Sequence, residues 1–225
     1  MHFSAFVATV SLAIFGVATL TRAAAPTSTS TTVNTASTDL QSDLRDFQAL
    51  LPRRRIGYIA AHHYIVDARF RSALAFIRGP EFSATWQQIR NTSDFAELLS
   101  LMQSDGGAFD VTTIIDSIPN QLRAFNIASK VPVNMMFQRM VSDFLGDVVR
   151  ELPRARFASL MARKVQAGGE FSQLYRTVRS EEFGSLLQKT RKSPNLAAPI
   201  RKLNQNFIDV DNIIKIGFNV LSWGP

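Results

Sequence analysis

From Asp39 onward, apolar residues recur every three or four positions, and that spacing predicts helices along the whole chain. Leu40, Leu44, Phe47 and Leu51 form one buried stripe, which ends at Pro52. Proline suits the first turn of a helix but not its interior, so a new helix starts there. Ile56, Ile59, His63 and Val66 continue it on one side. Phe70, Leu74 and Ile77 form the third stripe, ended by Gly79-Pro80, and Phe82, Trp86 and Ile89 form the fourth, closed by Asn91. Ser93 is placed as the cap of a fifth, which carries Phe95, Leu98, Leu99 and Met102. Gly106-Gly107 breaks the chain, and Asp110 opens a sixth with Val111, Ile114, Ile115 and Ile118. Alternation with a period of two never persists. The fold class is all-α.

The pattern then recurs. Shifted by 101 positions, Leu44, Asp46, Pro52, Arg53, Arg55, Phe70, Arg78, Glu81, Phe82, Gln87 and Arg90 meet identical residues. After Gly106-Gly107 the shift becomes 99, and Asp110, Val111, Ile114 and Ile115 meet Asp209, Val210, Ile213 and Ile214. A repeat this long exceeds the roughly 20–50 residues of a solenoid unit. The prediction is two tandem repeats of about six short helices each, packed face to face as one body. The third helix sharpens this, because Phe70, Ala73, Leu74, Phe76 and Ile77 cover more than half its circumference. A surface helix has one apolar face; a second must meet a neighbour helix, a partner or a ligand.

The start of the chain has a different character. Ser4 to Leu20 is uncharged and apolar, shorter than the ~20 residues a membrane span needs, and Ala23-Ala24-Ala25 follows as a cleavage region. The expected organisation is a signal peptide at 1–24, a Thr/Ser-rich flexible leader at 25–38, helical repeat 1 at 39–126, a linker at 127–137 and helical repeat 2 at 138–225. An exported chain without cysteine has no disulfides, so packing alone holds it. Asn91-Thr92-Ser93 is a glycosylation sequon between two predicted helices, making Asn91 a candidate acceptor.

Of the 225 residues, 46% are hydrophobic, enough for a substantial core, and 19% are charged, with a net charge of +7. In an exported protein that surplus points to anionic membrane or glycan surfaces rather than nucleic acid, and its spread along helices also serves solubility. Arg53-Arg54-Arg55 lacks the interleaved aromatics of a base-stacking surface, so a nucleic-acid partner is not expected.

"DLRDFQALLP" at Asp43–Pro52 and "FLGDVVRELP" at Phe144–Pro153 open the two repeats. Each is followed by an E-F segment, "RGPEF" at Arg78–Phe82 and "RSEEF" at Arg179–Phe183. Each closes on an aspartate-led Val/Ile helix, "FDVTTIID" at Phe109–Asp116 and "IDVDNIIK" at Ile208–Lys215. This ordered series resembles the insect allergen-related repeat family of microvillar midgut proteins, which includes the major cockroach allergen. The resemblance spans about residues 39–225, and none of its motifs is catalytic. It implies a helical shell around an apolar cavity that holds fatty acids or phospholipids, secreted into the gut lumen or held at the microvillar surface. A relative in leaf-feeding caterpillars diverts glucosinolate breakdown toward nitriles, so detoxification is a second implication. The basic Arg53–Arg55 and Arg154/Arg156 depart from the family pattern, in which the residues after the proline are mixed or acidic. Positive charge in a helix's first turn opposes the helix dipole by roughly 0.3–1 kcal/mol per charge, which a nearby carboxylate or anionic headgroup would offset.

No enzyme signature accompanies this. His62 and His63 are neighbours on a helix and point about 100° apart, so one metal cannot easily take both. His63 and Asp67 lie four apart, but no third ligand recurs, and repeat 2 has Arg163-Lys164 instead. No thiol, no G-x-S-x-G elbow and no phosphate loop is present. The expectation is a non-enzymatic carrier without cofactor or metal. The residues expected to face its interior are Phe47, Ile59, Phe70, Leu74, Phe82, Trp86, Phe144, Leu160, Phe171, Leu174, Phe183 and Leu187. The alternatives are a detoxification factor that steers the breakdown of plant defence compounds and a structural coat of the gut surface.

Overall fold

The computed structural model describes residues 40–103, 116–117, 119–120 and 141–225. The expected signal peptide, leader, linker, Gly106-Gly107 break and Asp110 helix lie outside the described residues. Among the described residues, five helices with full bounds belong to repeat 1: α1 (Leu40–Ala49), α2 (Arg53–Val66), α3 (Ala68–Arg78), α4 (Pro80–Arg90) and α5 (Ser93–Gln103). Six belong to repeat 2: α6 (Val141–Glu151), α7 (Arg154–Ala167), α8 (Glu170–Arg179), α9 (Glu181–Lys192), α10 (Pro194–Gln205) and α11 (Val210–Leu221). Among the described residues there is no strand, and the chain is all-α.

Short polar signals set the boundaries. Pro52 and Pro153 hold equivalent cap positions, at φ −77°, ψ 70° and φ −73°, ψ 78°. Side-chain oxygens of Asp67, Ser180, Ser193 and Asp209 accept the first free N–H groups of α3, α9, α10 and α11. Gly168 ends α7 at φ 73°, a left-handed position where a Cβ would be strained. One expected cap moves by a residue. The Phe95 N–H donates to Thr92 Oγ1 at 3.3 Å, so Thr92 rather than Ser93 caps α5. Either hydroxyl satisfies the sequence rule, and the first turn's register decides between them.

The two repeats exchange contacts reciprocally. Helix α1 packs on α7 and α8 of the other repeat, while its counterpart α6 packs on α2 and α3. Likewise α4 meets α10, and α5 meets α9. Large aromatics cross the boundary both ways: Phe47 lies 6.0 Å from Phe157 and 5.0 Å from Phe171, and Phe144 lies 5.0 Å from Phe70. Burying such a side chain stabilises by about 1.5–3 kcal/mol, so these rings weld the repeats into one core. The doubly apolar helix α3 is accounted for in the same way. Its five apolar residues are all buried, and α2, α4 and α6 surround it.

Candidate functional site

Where α2 of repeat 1 crosses α6 of repeat 2, a solvent-open cleft of about 360 Å³ is lined by Tyr58, Ile59, His62, His63, Asp147, Arg150 and Glu151. Helical spacing puts Tyr58 with His62, and Ile59 with His63, on adjoining stripes of α2. Asp147, Arg150 and Glu151 fall on one face of α6. At its base, His63 Nε2 lies 3.0 Å from Asp147 Oδ2. The imidazole is 1% exposed and sits between the rings of Phe70 and Phe144, each 5.6 Å away. Its other nitrogen, Nδ1, is buried without a hydrogen-bond partner. Arg150 donates to the second Asp147 oxygen at 2.6 Å, and Arg55 reaches Glu151 at 2.6 Å across the repeat boundary. Glu151 thereby balances one of the three arginines that crowd the first turn of α2.

A histidine–carboxylate pair is the arrangement that activates a nucleophile in acyl transfer. Here neither a serine, a threonine nor a cysteine lines the cleft beside it. Among the described residues, no three His, Cys, Asp or Glu side chains gather as metal ligands. The sequence reading pointed His62 and His63 about 100° apart on a helix, and here their rings pack edge to face with centroids 5.8 Å apart, His62 exposed and His63 buried. It missed that His63 faces Asp147. Only the equivalence of positions was legible, since the shift of 101 aligns Asp147 with Asp46 and His63 with Lys164. Lys164 itself reaches Asp46, at 2.5 Å, and Asp43, at 2.6 Å. Burial works against its ammonium, but the two carboxylates outweigh that and raise its pKa above the ordinary lysine value.

Of the twelve residues expected to face the interior, Phe47, Phe70, Leu74, Phe82, Trp86, Phe144, Leu160, Phe171, Phe183 and Leu187 are buried in one continuous cluster. Ile59 and Leu174 are half-buried against it, and Ile59 also lines the cleft. Phe47, Phe183 and Leu187 keep no accessible surface, so protein surrounds them on every side. An incoming apolar molecule would therefore meet Ile59 and Leu174 before these three. Asn91 lies apart from the cluster, exposed at the end of α4. Among the described residues, no helix is long and apolar enough to cross a membrane.

Comparison with known proteins adds two findings. A family model described as the insect allergen related repeat, nitrile-specifier detoxification, matches residues 39–214. The chain is also similar to Protein G12 of Anopheles gambiae, at 23% identity over 192 residues, which cover 82% of this chain and 88% of that protein.

Proposed function

This chain belongs to the insect allergen-related repeat family, and from that premise we propose that it is a secreted, non-enzymatic binder of fatty acids, phospholipids or similar apolar ligands in the insect gut. The observation that supports this reading is the set of partly buried apolar side chains packed against the shared core, among them Ile59, Leu145, Val149, Val165 and Leu174, with Ile59 also lining the open cleft between α2 and α6. Side chains of this kind leave apolar surface within reach of an incoming hydrocarbon tail, next to a core that would shield it from water. Five of these residues sit on α2, α6, α7 and α8, the helices that exchange contacts between repeats. Binding then draws on about 0.8 kcal/mol per buried methylene, set against the cost of ordering the ligand.

The test is solvent extraction of the protein purified from its native source, followed by mass spectrometry. Fatty acid or phospholipid in near-stoichiometric amount supports the carrier, and an empty protein contradicts it. The family description favours a second reading, detoxification of plant defence products. Myrosinase digests run with and without the protein decide that one, since only a specifier changes the ratio of nitrile to isothiocyanate.

A further inference from the structure

We infer that Asn91 is an acceptor for an N-linked oligosaccharide, at a turn that repeat 1 leaves open and repeat 2 closes. The chemistry needs an asparagine followed two residues later by a hydroxyl, with no proline between, and Asn91-Thr92-Ser93 meets it. Two hydroxyls stand close together here, and the structure gives them different work. That of Thr92 is engaged, accepting from the Phe95 N–H at 3.3 Å and donating to the Ile89 carbonyl at 2.8 Å. Ser93, at the position the sequon requires, is exposed and its hydroxyl makes no hydrogen bond to the described residues. Asn91 is likewise exposed, in the turn that ends α4 at φ −87°, ψ 0°. Its backbone N–H closes the last turn of α4, and its carboxamide is free of the described residues. A sugar on Nδ2 would project into solvent and displace no packed side chain.

Repeat 2 supplies the internal control. The shift of 101 puts Lys192-Ser193-Pro194 on these three positions, with lysine for the acceptor and proline for the hydroxyl. Ser193 is buried, caps α10 and donates to Asp94 Oδ2 at 2.8 Å. One turn is thus committed to holding the repeats together, while its counterpart presents an unobstructed acceptor on the outside of the same joint.

The transfer is chemically complete with a lipid diphosphate-linked oligosaccharide as donor. The bond from its anomeric carbon to the diphosphate oxygen breaks, and a new one forms to Asn91 Nδ2. The amide loses a proton, and the lipid diphosphate departs. No oxidant or reductant takes part.

The experiment expresses the full chain in insect cells and treats medium and lysate with peptide N-glycosidase. The expected result is a single downward mobility shift and conversion of Asn91 to aspartate in the matching tryptic peptide. Asn91→Gln and Ser93→Ala abolish the shift, whereas Thr92→Ala keeps it, since that hydroxyl serves the helix cap. Should a variant fail to fold, digestion of the unaltered chain still answers. Protein that reaches the medium unshifted overturns the assignment while leaving the carrier reading intact. A chain confined to the cytosol overturns both. A shift that survives Ser93→Ala overturns the assignment to this sequon.

Discussion

Two side-chain clasps onto carboxylates join the repeats at equivalent positions, and they are built to different standards. In one, Lys164 of α7 reaches back to Asp43 and Asp46 of α1. In the other, His63 of α2 reaches forward to Asp147 of α6. The carboxylate of Asp43 is only 2% exposed, and Lys164 is its charge partner. Asp147 is 21% exposed and has Arg150 as well. The duplication therefore preserved a place for a clasp but not its chemistry: one copy holds a buried carboxylate with a fixed charge, the other holds a wetter carboxylate with an imidazole. A buried ion that loses its partner costs far more than a half-exposed one that keeps another. The Lys164 clasp should thus be the one on which folding depends.

Substitutions can break or sharpen that contrast. The largest effect is expected for Lys164→Met, which strands the Asp43 carboxylate and should lower unfolding free energy by about 3 kcal/mol, read from urea titration. The difference from the unaltered protein also depends on pH. The pKa of Lys164 is raised in the fold, so its contribution is complete below the ordinary lysine value of 10.5 and fades as pH rises through the higher folded value. Next comes His63→Leu, which fills the space between Phe70 and Phe144 and leaves Asp147 with Arg150. Here about 1 kcal/mol should be lost, the worth of one hydrogen bond. Equal losses in the two variants would refute the contrast.

Asp94→Ala should likewise cost about 1 kcal/mol, by freeing Ser193 and Asn195 across the joint between α5 and the α9–α10 turn. Hydrogen bonds from Ser193 and then Asn195 hold the Asp94 pKa below the ordinary 3.8. Its contribution is accordingly complete above that value and is lost as pH falls through the lower folded pKa, so acid titrations of variant and parent should converge. The smallest effect is expected at the exposed Lys189–Glu97 pair, 2.9 Å apart. Lys189→Ala should leave the melting temperature unchanged within error, because solvent screens such a pair.

Much of this was legible in the chain because it depends on local chemistry. Period and punctuation fixed the helices: Pro52, Pro153 and Asp209 each begin one where the sequence reading put them. The alignment of the repeats likewise told which residues would hold equivalent posts. What lay beyond it was pairing across the repeats. Nothing near His63 in sequence says that its partner is Asp147, 84 residues away. Likewise, stripe positions mark Phe47 and Ile59 alike as apolar, yet one is sealed in the core and the other lines a cleft. That distinction is set by which helix of the other repeat covers each residue, and periodicity carries no information about it.

The most direct test of the ligand reading is calorimetric titration of the delipidated protein with saturated fatty acids of increasing chain length. Burial at about 0.8 kcal/mol per methylene predicts a Kd that tightens about fourfold with each carbon until the site is filled. An affinity indifferent to chain length, or no heat of binding at all, would contradict it.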